Sequence, residues 1–462
     1  MAFGLLSTTT TASYQSLNSR RKIFYQFPTG AAPLMGLLSM LPSEETDKVN
    51  FGWWERRFPV LRGATVASGI VFANGNGSAL VDGGSGVTLT ANTTYQVNMV
   101  DASQFKPTHV IQLRSIANQT TTLDITGVVT AVDWVGNIVT FRPLTTFTGV
   151  VNTSGGANIN KNIGIIGTAN PEGAKSGAGI MQFPVNPTNL TQIFRTAFNL
   201  TRTSLKQGLL FDRSGTYKSM AWENGLRHMV EMEKAFIWGQ NQSVSVTDSE
   251  TGDITPETKT GGIIWFLQQW EAANSLYRGG SGAAAITSIA DPNKRIIDLT
   301  AGGYGGDPAN TLSKNSYRAL MSNLFRKTND KSYEKLCLCG GTHLEVINSL
   351  FEREVVKTVA MINKERDIEF IVHSVVTLRG TVHYKTHPLM DEDPDWQGWG
   401  LYLDMGNLMY RPLSDSDTVF LKGRQANDRD SRKDEWISEA GLECRFPESH
   451  MLIKASSAFA PA

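Results

Sequence analysis

The stretch NLTQIFRTAFNLT, from Asn189 to Thr201, fits two secondary structures. At a spacing of two, Leu190, Phe194, Phe198 and Leu200 share one face; at helical spacing Leu190, Ile193, Phe194 and Ala197 do. A helix here belongs to a compact enzyme-like domain. A strand here is one limb of a long excursion from the core. The thirteen residues by themselves leave both open.

The next segment is clearer. LKQGLLFDRSGTYKSMAWENGLRHMVEMEKAFIWGQ has a helical period that puts Trp222, Leu226, Met229, Val230, Phe236 and Ile237 on one face. Glu223, Arg227 and Glu231 fall at i,i+4 spacing on the other, and Gly239 stands where a C-terminal cap belongs. GGIIWFLQQWEAANSLY also reads as helix, and it leads into a glycine-rich loop region that includes TAGGYGGDPAN.

Upstream, residues 1–48 read as an arm with a basic cluster at Arg20, Arg21 and Lys22. In APLMGLLSMLP, Leu34, Leu37, Leu38 and Leu41 repeat at helical spacing until Pro42 stops the helix. Its apolar face must be covered by the chain's own body or by a neighbour. In the strand-like VNFGWWERRFPV, Trp53 and Trp54 point to opposite faces. From about Gly63 to Ile166 the chain turns rich in Gly, Thr, Asn and Val with few charges. About five alternating segments there, with a hairpin turn at Val135, Gly136 and Asn137, predict an all-β insertion built as a small barrel or sandwich.

The C-terminal half predicts a helix over 312–326, the strand KLCLCG, and a helix through Phe351 with Thr342 and Glu345 as a capping box. Mostly strands follow: RDIEFIVHSVVTL, a turn at Arg379 and Gly380, TVHYKTH, GLYLDMGNLMYRPL and AGLECRFPESHMLIK.

Lys plus Arg equals Asp plus Glu, 43 each, so no net field draws the chain to nucleic acid or anionic membrane. No apolar run reaches the roughly 18 residues of a membrane helix, and MAFGLLSTTTTAS lacks the basic start and apolar core of a signal peptide. Three cysteines are too few for a disulfide framework. Six N-x-S/T sequons, at Asn92, Asn118, Asn152, Asn189, Asn199 and Asn241, read as Thr- and Asn-rich strands rather than as glycan sites.

Catalytic and metal constellations find little support. Cys337, Cys339 and His343, with Cys444, His373, His383 and His387 as possible completions, lack the paired spacing of a closed zinc site, so the two cysteines read as small buried hydrophobes. His383 and His387 flank Lys385 on what reads as a solvated strand face. GGYGGDP and GGSGG lack the Lys and Ser/Thr of a phosphate loop, and DEDPDW reads as a turn with solvated carboxylates. No catalytic, cofactor-binding or metal residue is assigned.

Taken in order, the pieces are an arm with a Pro-bounded helix, a tryptophan-bearing strand, a long excursion, the return NLTQIF and a long amphipathic helix. A Gly-rich loop, KLCLCGG with THLEVINSLFER, and strands ending in GTVHYKTHPLM, LYLDMGNLMYRPL and SEAGLECRFPESHMLI complete it. This order resembles the tailed-bacteriophage major capsid proteins with the Hong Kong-type shell fold, in the subgroup whose extended loop carries a small β insertion. The likeness spans about Ala32 to Ile453. It implies an α+β fold in which the opening stretch is a strand, the return limb of an extended hairpin lying over a neighbouring subunit. It also implies this map: arm 1–48; extended loop 49–203 with the all-β insertion at 85–165; spine helix and peripheral domain 204–275; axial domain 276–386; and C-terminal strands 387–462 returning to both domains.

By the same resemblance the chain is a virion shell subunit and not an enzyme. It assembles with itself into pentamers and hexamers of an icosahedral head around double-stranded DNA, without reading sequence, in the host cytoplasm. Decoration or cement protein, scaffolding protein and portal are the further partners implied; no membrane and no cofactor is. No long charged coiled coil stands at the N-terminus, so a separate scaffold or none is expected, and a chain starting at Met1 suggests an unclipped front. No residue is assignable to a Lys–Asn cross-link. Subunit-interface residues are expected at Leu34, Leu37 and Leu38 in the arm and at Trp53, Trp54, Glu55, Arg56 and Arg57 at the loop base. The alternatives are a bacterial surface or adhesive β-rich protein and an intracellular metalloprotein.

Overall fold

The computed structural model describes residues 32–39, 42–57, 62–64, 72–78, 87–99, 102, 104–115, 124–150, 159–173, 184–206, 216–247, 252–278, 285–326, 333–351, 357–363, 368–377 and 379–462. The basic cluster at Arg20 to Lys22 and Leu41 fall outside these residues. Two compact units result. The first comprises Met1–Trp53, Thr188–Glu271 and Ile286–Ala462; the second comprises Trp54–Pro187 and Ala272–Ala285.

In the first unit the opening stretch is a strand, Gln192–Thr201. It pairs antiparallel with Ser431–Cys444 in unbroken register, from Gln192 opposite Ala440 to Thr201 opposite Ser431. Leu408–Pro412 and Val419–Leu421 complete this sheet on the other side of Ser431–Cys444. Phe194, Thr196, Phe198 and Leu200 are buried, whereas a helix would have needed Ile193 inside, and Ile193 is 55% exposed. The strand is nonetheless a core element and not the limb of a loop. The structural division falls at 53/54 and 187/188 rather than at 49 and 203, because the ten-residue ladder and its apolar face bind this segment to the body.

The long helix Thr216–Trp238 covers that sheet. Phe236 meets Phe194 edge-on at 6.3 Å. Its buried face differs from the expected one: Asn224, His228, Met232, Glu233, Phe236 and Ile237 are inside, while Trp222 and Met229 are exposed. The reason is polar complementarity. His228 joins Thr196 Oγ1 (3.0 Å) to Ser438 Oγ (2.7 Å) across the sheet, and the Trp436 indole donates to the Ala221 carbonyl at 3.1 Å. Gly239 ends the helix as predicted, donating to the Ala235 carbonyl at 2.8 Å. A Cβ there would lie 2.3 Å from Ala235 O and 2.5 Å from Thr260 O, so only glycine fits.

A seven-stranded mixed sheet forms the other part of this unit. Its order is Ile296–Asp298, Met451–Lys454, Gly400–Leu403, Glu334–Cys339, Thr381–Thr386, Ile368–Val376 and Lys357–Asn363. Its core with helices Lys314–Phe325 and Gly341–Phe351 includes Tyr317, Leu320, Cys337, Cys339, Tyr384 and Tyr402. Cys337 and Cys339 are fully buried among these apolar groups, as their reading as small hydrophobes expects. The three tyrosine hydroxyls form a chain, Tyr317 to Tyr384 at 2.7 Å and Tyr384 to Tyr402 at 3.3 Å.

Ser313 caps its helix by accepting from Ser316 N. The expected Thr342–Glu345 capping box is replaced. The helix begins at Gly341, whose N–H donates to Asp391 Oδ1 at 2.9 Å, so an acidic side chain from DEDPDW does the capping from outside.

Among the described residues of the second unit every regular element is a strand apart from the short 3-10 turn Leu276–Arg278. Seven strands form one antiparallel sheet in the order Arg62–Ala64, Ile159–Thr168, His109–Ser115, Asp124–Asp133, Ile138–Pro143, Tyr95–Asn98 and Phe72–Asn74. Val87–Leu89 and Phe147–Val150 form a second, two-stranded sheet. Leu89 and Phe147 from the small sheet share one core with Val97, Ile111, Val129, Val139 and Phe141 from the large one. The insertion thus begins earlier than residue 85, because the three-residue strands at 62–64 and 72–74 are too short to show a period. The predicted hairpin turn is present: Asp133 Oδ1 accepts from Val135 N and Gly136 N, and Asn137 takes a left-handed φ of 54°.

Candidate subunit interface

The eight expected interface residues separate by burial. Leu34 and Leu38 are fully buried by the chain's own first unit, where helix Pro33–Leu38 packs on the long helix, so neither is available to a neighbour. Leu37 is half-buried. Trp53 is buried against Phe266, 5.7 Å away, and Phe51. Glu55 is buried and paired with Arg57 at 2.7 Å, and the Arg57 guanidinium lies over the Tyr277 ring. Trp54, at 70% exposure, and Arg56 remain on the surface. The opposite-face reading of Trp53 and Trp54 therefore holds. The arm helix reads as an intermolecular contact in sequence because its intramolecular cover, the long helix, stands some 200 residues away.

Two buried polar hubs hold the segments that carry these residues. At the first, strand Asn50–Gly52 pairs with Thr188–Leu190, and Asn189 is wholly buried between the elements. Its Nδ2 donates to Leu442 O (2.7 Å), Gly261 O (3.0 Å) and Thr260 Oγ1 (3.2 Å), and its Oδ1 accepts from Gly261 N (2.8 Å) and Leu190 N (2.9 Å). At the second, the Glu233 carboxylate accepts from Leu34 N (2.9 Å), Met35 N (2.7 Å) and His387 Nε2 (2.7 Å), with no exposure of the Glu233 or His387 side chain. His387 does not lie on a solvated strand face, as the sequence suggested. It is buried just past the strand because Glu233 needs a donor there. His383 is half-buried and bonded to Ser374 Oγ at 2.8 Å.

Sequence reasoning passed over the hairpin Gln242–Thr247 and Ile254–Lys259, although its alternation of Ser and Val was a readable signal. Almost every residue in it is exposed, including Val244, Val246 and Ile254. Trp134, Val135 and Ile166 are exposed large apolar residues of the second unit near its turn and long strand.

Buried histidines give the first unit a defined response to acid. Burial lowers His343 from 6.5 to about 4, partly opposed by its hydrogen bond to the Gly398 carbonyl. Burial, then the nearby Lys335 charge, lowers His450 to about 3, and burial also lowers His228 against the opposing charge of Glu231. Each binds its proton more weakly folded than unfolded. Below pH 6.5 the unfolded chain takes up protons that the folded chain refuses, so stability falls as pH drops and is unaffected by these groups above pH 7. With two such protons the slope is about 2.7 kcal/mol per pH unit near pH 5. Urea midpoints measured at pH 7, 6, 5 and 4.5 should drop along that slope. A flat profile would show that these imidazoles are not held neutral inside.

Among the described residues no three His, Cys, Asp or Glu side chains come together as a metal-binding group, and no helix is long and apolar enough to cross a membrane. What relates this architecture to known proteins is a family model described as SU10 major capsid protein, which matches residues 6–457. The chain belongs to the SU10 major capsid protein family. It is a structural subunit of a phage head shell, a virion component that assembles with copies of itself. That membership accords with the α+β class found and replaces both alternatives, surface adhesin and metalloprotein. No curated protein matches the chain. Solved structures to which it is similar include Mycobacterium phage Bobi, 8% identical, covering 99% of each chain at a TM-score of 0.40. Microbacterium phage Oxtober96 is 8% identical over 99% of this chain and 100% of that one at 0.39. The satellite phage P4 procapsid including size determination (Sid) protein is 13% identical over 62% and 78% at 0.32. The family assignment rests on the family match alone.

Proposed function

We propose that this capsid subunit forms pentamers and hexamers of an icosahedral head, assembled in the host cytoplasm, and that its all-β second unit is an extended loop that clasps neighbours or receives a decoration protein. The observation that carries this reading is the closed base of the excursion. The chain leaves and returns through one antiparallel ladder, Asn50 opposite Leu190 to Gly52 opposite Thr188, and a further bridge joins Glu55 to Val185 inside the second unit. Closure at the base and an apolar core of its own support a fold held mainly by the second unit's own contacts, which leaves its surface for other subunits. Exposed Trp54 and Arg56 at that base are the interface residues in this reading, because a large exposed indole next to a rigid ladder is the kind of anchor on which interfaces concentrate. The balanced charge suits close packing of many copies around double-stranded DNA, which the subunit encloses without sequence readout. A scaffolding protein and a portal complete the assembly.

The test is to express the chain alone, pass it through size exclusion with light scattering, and image the large species by electron microscopy. Closed shells or discrete pentamers and hexamers are expected, with or without a co-expressed scaffold. A stable monomer in both cases would sink the assembly reading. Replacing residues 62–168 by a short Gly/Ser linker should leave the first unit with its cooperative unfolding transition while misdirecting assembly. Loss of that transition would mean that the second unit is part of one core with the first.

A further inference from the structure

The hairpin after the long helix is mounted firmly and covered by nothing among the described residues of its own chain. At its foot, Thr258 Oγ1 donates to Thr191 O at 2.7 Å and Thr260 N to Gln192 Oε1 at 3.1 Å, and Gly261 is fixed by Asn189. Beyond the foot, Gln242–Thr247 and Ile254–Lys259 pair only with each other among the described residues. A two-stranded ribbon exposed on both faces is marginal in water without a third strand or a packing surface.

The two outer edges differ in chemistry. Ile254–Lys259 carries Pro256, which has no N–H to offer, together with Glu257 and Lys259, which pair at 3.3 Å. Proline and charge are what natural sheets use to keep an edge from pairing. Gln242–Thr247, sequence QSVSVT, has neither. Its outer edge, unpaired among the described residues, is an uncharged row of backbone donors and acceptors that carries exposed Val244 and Val246.

Resting on the shell-subunit reading, we propose that the edge of Gln242–Thr247 pairs with the same strand of a second copy, giving a four-stranded antiparallel sheet across a local twofold. An uncharged edge is self-complementary: each copy supplies the donors that the other accepts, and no like charges meet. A twofold contact of this kind also closes on itself, so it links two subunits without starting an open fibre. The guarded strand Ile254–Lys259 then lies on the outside of the joined sheet, where its proline and charges stop further addition.

The experiment uses the full chain with the substitutions Val244→Cys and Ser245→Cys together, since adjacent positions cover either parity of register. The native Cys337, Cys339 and Cys444 are buried and do not compete. Mild oxidation should convert most chains to disulfide-linked dimers, and Thr255→Cys on the guarded strand should give none. Separately, Val246→Lys should lower the yield of assembled particles at least tenfold while the dissociated subunit keeps its urea midpoint. Particles that form normally in Val246→Lys and yield no dimers from the cysteine pair would overturn the edge contact and leave the shell reading standing. Cross-linked dimers from the cysteine pair, in a chain whose wild type never forms particles, would do the reverse. Cross-links from Thr255→Cys alone would place a neighbour on the other strand and overturn the assignment.

Discussion

Glu233→Ala is expected to unfasten the arm helix and to lower the stability of the subunit by about 3–5 kcal/mol, the cost of leaving three inward-facing donors without the buried carboxylate that accepts from them. Three donors lose their acceptor at once: the N–H groups of Leu34 and Met35, which open helix Pro33–Leu38, and His387 Nε2. A six-residue helix cannot hold itself together, since isolated helices shorter than about 12 residues are marginal in water. Its order therefore depends on this carboxylate and on the burial of Leu34 and Leu38. Urea unfolding of the dissociated subunit measures the stability. Amide exchange at Leu34 and Met35 separates release of the arm from general loosening, because both amides should lose protection in the variant under native conditions. Glu233→Gln is a finer probe. Its amide oxygen keeps one acceptor site, but its NH₂ faces a backbone N–H, so a loss of roughly half that size is expected. Unchanged exchange at Leu34 and Met35 in Glu233→Ala would mean that the carboxylate does not hold the helix.

The same hub shows why the face of the long helix could be read only in part. Hydropathy placed Trp222 and Met229 inside, yet the body accepts Asn224, His228 and Glu233 there instead. A polar residue is buried at little cost when its partner is waiting, and the partners here come from distant chain: Ser438 for His228, and Leu34, Met35 and His387 for Glu233. Period alone carries no information about them. By contrast the strand Gln192–Thr201 was legible as a candidate because Phe194, Phe198 and Leu200 keep a strict period of two. What it lacked was its pairing partner, Ser431–Cys444, more than 200 residues on. The short strands of the second unit were missed for a simpler reason, since three residues are not enough to display alternation. For the interface, exposure of Trp54 was readable from its alternation with Trp53. Burial of Leu34 and Leu38 was not, because an apolar helix face looks the same whether its cover is in the same chain or the next.

The first residue of the deciding stretch gives the other large effect. Asn189→Asp keeps the shape of the side chain and exchanges a donor for an acceptor at its most crowded point. Nδ2 lies between the carbonyls of Leu442 and Gly261, at 2.7 and 3.0 Å, so a carboxylate oxygen there meets two carbonyl oxygens inside a fully buried site. At pH 7 the variant is expected to lose about 3–5 kcal/mol, for lost hydrogen bonds plus an unpaired buried charge. Asn189→Ala should lose less, about 2–3 kcal/mol, since it leaves groups unsatisfied but introduces no charge. Acid separates the two. Protonated aspartic acid regains one donor, so its folded pKa is raised above the ordinary value of about 3.9, and the stability it retains is present at low pH and lost as pH rises through that raised pKa. The deficit of Asn189→Asp relative to wild type should therefore shrink from pH 7 to pH 5, while that of Asn189→Ala stays constant. This runs against the acid loss that the buried histidines impose on every variant alike, so the difference between curves is the quantity to read. Parallel curves for Asp and Ala would mean that the carboxylate escapes to water, and that the joint between Asn50–Gly52, Thr188–Leu190 and Gly261 is looser than its five hydrogen bonds imply.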